Sequence, residues 1–186
     1  SIVLKDNGGI ANGGVDTSAA QSFTINVASV NDAPSFAKGA DIARDEDAGA
    51  QVLGGWATSI SAGPANESGQ TLAFFLTSDN DALFSALPTV SADGTLRFTS
   101  APNANGIAHV SIVLKDNGGI ANGGVDTSVA RSFIINVAPV NDAPVPVSVT
   151  YNILEDHTVV GALQANDADG DPLTFALAID AGLGTL

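Results

Sequence analysis

The residues of this chain best able to do chemistry are its carboxylates and carboxamides, and they come in clusters. Asn166 to Pro172 reads N-D-A-D-G-D-P, Asp45-Glu46-Asp47 is an acidic triplet, and V-N-D-A-P occurs twice, at Val30 to Pro34 and at Val140 to Pro144. Oxygen donors of this kind suit a hard cation, since calcium takes about six to eight oxygens from carboxylates, amides and backbone carbonyls. Asp167 to Asp171 has the look of an EF-hand start, but no Glu stands at the twelfth position and a strand, not a helix, is expected next. Gly8-Gly9 and Gly13-Gly14 do not repeat at nine-residue intervals, so they read as loop glycines. No G-x-S-x-G elbow, phosphate loop or histidine cluster is present, and the chain has no cysteine. His109, at an outward strand position, and His157, after an acidic pair, read as solvated side chains. Trp56, the single tryptophan, reads as core or domain-end packing. These features point to a non-catalytic chain.

Bulk composition agrees. Twenty acidic against six basic residues give a formal charge of −14 over 186 residues. Nucleic acid needs a basic footprint and an anionic membrane attracts basic segments, so neither is an expected partner. Membrane insertion of this segment is not expected either, because no long apolar run occurs. An acidic surface serves solubility as well as cation binding.

The elements that must position the acids are set by an internal repeat. Ser1 to Pro34 and Ser111 to Pro144 differ at four of 34 positions: Ala19/Val129, Gln21/Arg131, Thr24/Ile134 and Ser29/Pro139. The offset of 110 residues is the size of a domain, not of a solenoid turn. The expected organisation is residues 1–32 as the last hairpin of one unit, 33–142 as a complete unit, and 143–186 as the head of a third. Short apolar runs separated by Gly, Asn, Asp and Pro indicate an all-β protein. Strands are expected over Ser1 to Lys5, Thr17 to Val27, Ser35 to Arg44, Ala50 to Leu53, Gln70 to Thr77, Leu87 to Ser91, Thr95 to Thr99, Ile107 to Lys115 and Thr127 to Val137. In the third unit they are expected over Val147 to Leu154, Val159 to Ala165 and Leu173 to Ile179. Asp93-Gly94 is a hairpin turn. Leu72, Phe74, Leu76, Val110, Ile112 and Leu114 alternate inward. Trp56 and Ile60, four apart, suggest a helical turn. Seven strands in the complete unit have the spacing of a sandwich.

With linkers and acidic turns placed, the chain resembles cadherin-type tandem domains and, more narrowly, is similar to the cadherin-like repeats of large bacterial surface adhesins (outer-membrane and RTX-adhesin type). V-N-D-A-P resembles the cadherin linker D-x-N-D-N-A-P. L-K-D-N-G-G (Leu114 to Gly119) resembles the end of cadherin strand F. L-E-D (Leu154 to Asp156), followed by Asn166 to Asp171, resembles the strand A Glu and the B–C turn D-x-D. The resemblance implies an immunoglobulin-like, cadherin-like Greek-key β-sandwich with calcium at the junctions between units. It implies two ligand sets: Asn31, Asp32, Asn66, Glu67 and Asp116 at the first junction, and Glu46, Asn141, Asp142, Asp167 and Asp169 at the second. There are departures. The linker is one residue shorter, Asn66-Glu67 stands where D-x-D is expected, and Thr99 to Asn103 (T-S-A-P-N) replaces an Asp-Arg-Glu. Fewer carboxylates imply fewer or weaker ions.

The function so implied is a calcium-stiffened spacer or adhesion repeat at a bacterial cell surface or in a secreted adhesin. Its partners would be the neighbouring repeats and a cell-surface or matrix protein or glycan. The alternative is an accessory, carbohydrate-binding or spacer module of a secreted polysaccharide-degrading enzyme. A solvent-exposed aromatic strip would favour it, whereas this chain is only 5% aromatic. The opening hairpin and the head of the third unit are expected to expose apolar faces and unpaired strand edges, open to strand exchange with another copy.

Overall fold

A computed structural model describes residues 1–176. It is all-β: eleven strands and four single 3-10 turns. The strands are β1 (Ser35–Ala37), β2 (Ile42–Asp45), β3 (Ala50–Leu53), β4 (Thr58–Ser61), β5 (Leu72–Ser78), β6 (Phe84–Val90), β7 (Leu96–Ser100), β8 (Gly106–Asp116), β9 (Arg131–Ala138), β10 (Val145–Val147) and β11 (Gln164–Asn166). One sheet has the order β2-β9-β8-β5, a second β3-β7-β6, and β1-β4 and β10-β11 are separate pairs. All pairs are antiparallel except β2 with β9.

The two larger sheets share one core. Val110, Ile112, Leu114, Phe133, Ile135 and Val137 of β8 and β9 face Leu96, Phe98, Phe84 and Val90 of β6 and β7. The alternation read from β8 is the observed one, and Leu72, Phe74 and Leu76 of β5 pack on this core's margin. Ile134, where the repeat copies differ, is only half-buried.

The single strand expected over Ser35 to Arg44 is divided between sheets. Its centre, Lys38 to Asp41, leaves the ladder, and Trp56 explains why. The indole packs against Gly39, where any Cβ would collide with it. Its Nε1 donates to the Ala40 carbonyl at 3.0 Å, and its ring lies 4.4 Å from that of Phe133. Trp56 is therefore core, as expected, but no helical turn joins it to Ile60. Trp56 lies in the bend that precedes β4, and Ile60 sits on β4 itself. Ser59 adopts a positive φ of 51° beside the register break of β1 and β4.

The first hairpin is joined by the isolated bridges Ile2–Gln21 and Lys5–Thr17 and by the Leu4 N–H donating to Ser18 Oγ at 3.0 Å, not by the two strands expected. Ile2, Leu4, Phe23, Ile25 and Val27 are exposed, while their repeat counterparts Ile112, Leu114, Phe133, Ile135 and Val137 are buried. Identical side chains thus differ in burial because only the second set has facing sheets. An isolated hairpin is marginal in water. The long strands expected after Pro144 shrink to β10 and β11, and Tyr151, whose hydroxyl bonds both N–H and carbonyl of Ala162, holds the loop between them. Of the expected strand 173–179, residues 173–176 are not in strand, and the remainder lies outside the described residues. Among the described residues no helix is long and apolar enough to cross a membrane.

Candidate functional site: the two linker junctions

At the first junction the linker is held by side chains from two loops of the segment that follows it. Asn31 is the central contact. Its Nδ2 donates to Asp116 Oδ1 at 3.0 Å and to the Val125 carbonyl at 2.7 Å. Its Oδ1 accepts from Gln70 Nε2 at 2.7 Å, and its carbonyl accepts from the Val125 N–H at 2.9 Å. Both side-chain N–H groups, the side-chain oxygen and the backbone carbonyl of one linker residue are thereby engaged. Gly118 lies against the Asn31 amide with no room for a Cβ, and its N–H donates to Asp116 Oδ1 at 2.9 Å. The glycine-rich loop between β8 and β9 is shaped to admit this side chain.

Asp32 is held through its backbone. Its N–H donates to Glu67 Oε1 at 3.0 Å. Glu67 sits in the 3-10 turn Ala65–Glu67 and is only 5% exposed. Its other oxygen, Oε2, has no partner, and neither have Gln70 Oε1 and Asp116 Oδ2, all buried. A cavity of about 170 Å³, lined by Asn31, Asn66, Glu67, Gln70, Gly118 and Asn122 among others, opens beside them. A buried carboxylate oxygen without a donor is costly.

The second junction repeats one feature of the first. The Asp142 N–H donates to Asp169 Oδ2 at 2.6 Å. Asp142 and Asp32 are the same repeat position, so in both junctions an acid from the following turn caps the same linker amide. The acid lies 35 residues beyond Asp32 but 27 beyond Asp142, because the loops differ in length. Asp167 builds its own turn, Oδ1 accepting from the N–H groups of Asp169 and Asp171 at 3.0 and 3.2 Å. Glu46, 3% exposed, comes from the other side. Its Oε1 accepts from the Val140 N–H at 2.8 Å and its Oε2 from Asn105 Nδ2 at 3.4 Å. Two carboxylates, one from the segment before and one from the segment after, thus grip linker amides two residues apart. Asn141, the counterpart of Asn31, is exposed, and among the described residues its side chain bonds the Asp142 carbonyl.

The charge of the second junction is visible in Asp142. Burial first, then the negative charges of Asp47, Asp169, Glu46 and Asp167, push its carboxyl above the ordinary value of 3.8. Its buried Oδ2 has no hydrogen-bond donor. Four carboxylates repelling a fifth make a strongly negative junction, yet their oxygens do not converge. Among the described residues, no three Asp, Glu, His or Cys side chains stand close enough to hold one ion.

Of the expected set, then, Asn31, Asp32, Glu67 and Asp116 form one hydrogen-bonded group, with Asn66 on the cavity wall. Glu46, Asp142, Asp167 and Asp169 gather around the second linker, and Asn141 stands apart. Sequence reading missed Gln70, Asn105 and Asp47. Asp47 was signalled by its place in the acidic triplet; a lone Gln or Asn carries no such signal. It also missed a partner for His109. Asp79 accepts from the His109 N–H at 2.7 Å and contacts Nδ1 at 2.8 Å, which holds the Asp79 carboxyl below its ordinary value. No family model matches the chain, and comparison with curated proteins and with solved structures found no similar one.

Proposed function

We propose that this chain is a non-catalytic stretch of tandem immunoglobulin-like, Greek-key repeats, a spacer of a bacterial cell-surface or secreted adhesin stiffened by calcium at its linkers. The observation that carries the reading is the shared capping of Asp32 and Asp142 by an acid of the following turn. The same linker amide capped by an acid at a 110-residue interval is what a regular array would use. Sequential units would set the spacing of an adhesive tip from the cell, and the target of that tip would be a surface or matrix protein or glycan.

The donors fit calcium best at the first junction. Glu67 Oε2, Asp116 Oδ2 and Gln70 Oε1 are buried oxygens without donors, and hard oxygens are what calcium binds. Asn66 and the Asp32 carboxylate would complete the set. At the second junction Asp142 Oδ2 is, among the described residues, a buried oxygen without a donor. Asp47, Asp167 and Asp169 would bind by turning from backbone amides to the ion. Calcium supplies positive charge where the chain has gathered negative charge; the residues supply position.

The test is thermal. A ligand that binds only the folded state stabilises by RT ln(1 + [L]/Kd), about 2.7 kcal/mol at a hundredfold excess over Kd. Millimolar calcium should raise the melting temperature, chelator should lower it, and Glu67→Gln should blunt the difference. Superimposable melts in calcium and in chelator would dispose of the calcium reading.

A further inference from the structure

The two copies of the repeat have the same hairpin loop and the same linker. None of the four differing positions falls in the loop (Asp6 to Asp16, Asp116 to Asp126) or in the linker (Val30 to Pro34, Val140 to Pro144). The first junction shows how such a loop holds such a linker. Asp116 Oδ1 and the Val125 carbonyl accept from the Asn31 carboxamide, and the Val125 N–H donates to the Asn31 carbonyl. The side chain fits only because Gly118 has no Cβ.

The loop at 6–16 has the same shape without a linker against it. The Asp6 N–H donates to the Asp16 carbonyl at 3.0 Å, as Asp116 does to Asp126 at 3.1 Å. The Gly8 N–H donates to Asp6 Oδ1 at 2.8 Å, as Gly118 does to Asp116 at 2.9 Å. The Gly14 N–H donates to the Ala11 carbonyl at 3.1 Å, as Gly124 does to Ala121 at 3.0 Å, and Asn12 and Asn122 share a φ of 55°. A loop already in its holding conformation has little ordering cost left for docking. Its groups stand open, since Asp6, Gly8 and Val15 are exposed. The matching linker residue, Asn141, is exposed as well, and the Asp142 N–H beside it already carries its acid cap, Asp169, as Asp32 carries Glu67.

We propose that the loop at 6–16 of one copy seats the linker Val140–Pro144 of a second copy, joining copies head to tail. Asn141 Nδ2 donates to Asp6 Oδ1 and to the Val15 carbonyl, and the Val15 N–H donates to the Asn141 carbonyl, which repeats the first junction. Sequence identity selects this occupant: the linker is the one that the loop's twin holds. In the first junction the hairpin also packs on the strands that follow the linker. The same docking therefore turns Leu4, Phe23 and Ile25 of the hairpin towards Leu163, Leu173 and Phe175, all exposed after the second linker. Two different patches meet, so the contact is heterologous and extends as an open series. It rests on the repeat and on the geometry of the first junction, not on calcium.

The test uses the full chain in chelator, so that its outcome is independent of the calcium reading. Sedimentation equilibrium should show a series of oligomers that grows with concentration, favoured by salt that screens the −14 charge. Gly8→Ala, which sets a methyl group in the path of the Asn141 carboxamide, and Asn141→Ala should each weaken association about tenfold or more, without lowering the melting temperature. The chain has no cysteine, and a Cβ on Gly118 would meet the Asn31 side chain. A mixture of Gly8→Cys and Asn141→Cys chains should therefore give mainly the mixed disulfide on mild oxidation. A monomer at every concentration, undiminished association of both alanine variants, or no excess of mixed over like disulfides would overturn the proposal. Cross-linking of Gly8→Cys chains to Asn31→Cys chains in preference to Asn141→Cys chains would also overturn it, in favour of exchange of the opening hairpin for residues 111–137.

Discussion

Glu67 and Asp142 show how differently two acids of the same linker system are placed. Glu67 is buried, one oxygen on the Asp32 amide and the other without a donor. Glu67→Ala removes the cap of the part-buried Asp32 amide and should cost about 1 kcal/mol, the ordinary net worth of one hydrogen bond, read by urea unfolding in chelator. Asp142 is opposed by four neighbouring acids. Its raised value means that the folded state binds its proton more readily than the unfolded chain, so at neutral pH its charge works against folding and the loss is relieved as pH falls. Asp142→Asn should therefore raise the melting temperature in chelator and, on the proposed reading that its carboxylate binds calcium, lower it in calcium. A shift of the same sign in both buffers would remove Asp142 from the ligand set. Asp79 is the opposite case. The His109 N–H is the first cause of its lowered value and the His109 ring the second. In His109→Ala the backbone bond remains, so a carboxyl-carbon NMR titration should find Asp79 moved only part of the way back towards 3.8. The stabilisation it gives is present at neutral pH and lost as pH falls through that lowered value.

Among the elements, β8 organises the rest. Ala108, Val110, Ile112 and Leu114 alternate inward and are almost completely buried, and the strand ends at Asp116, which meets the linker. Leu114→Ala should cost about 2–5 kcal/mol, the range for a buried leucine, and a smaller loss in denaturant unfolding would mean the site collapses well. The turn at Gly94 is a second fixed point. Its φ is +83°, a Cβ there would strike the Ala57 carbonyl, and its own carbonyl accepts the Ala57 N–H at 2.9 Å. Strand alternation and the Asp-Gly turn were legible in the sequence because they are local, with periods set by backbone geometry. The linker acids were legible because they recur at one offset. What was not legible depends on partners distant in the chain. Gly39 breaks the first strand only because Trp56 lies against it, and Gln70 matters only because Asn31 meets it. The two hairpins make the point within one molecule: the same apolar residues are buried at 112–137 and exposed at 2–27.

At the scale of the whole molecule, the proposed stiff array depends on what holds the second linker. The linker Val140-Asn141-Asp142 is held by two hydrogen bonds to carboxylates, from Glu46 before it and Asp169 after it. Charge-assisted bonds of this kind contribute about 1.5–3 kcal/mol each when buried, but Asp169 is exposed and its contribution is smaller. Against them stands the mutual repulsion of Glu46, Asp47, Asp142, Asp167 and Asp169. Each pair of unit charges about 6 Å apart in water repels by about 0.7 kcal/mol, and by more where the medium is less polar. On the proposed reading, a divalent ion that neutralises the acids would remove that opposing repulsion and stiffen the joint. Small-angle scattering on a chain with at least two complete repeats should find a larger maximum dimension and a narrower distance distribution in calcium than in chelator. Raising monovalent salt in chelator should recover part of that change, because screening weakens repulsion without bridging the acids. Equal maximum dimensions in calcium and in chelator would mean that the two backbone caps alone set the joint.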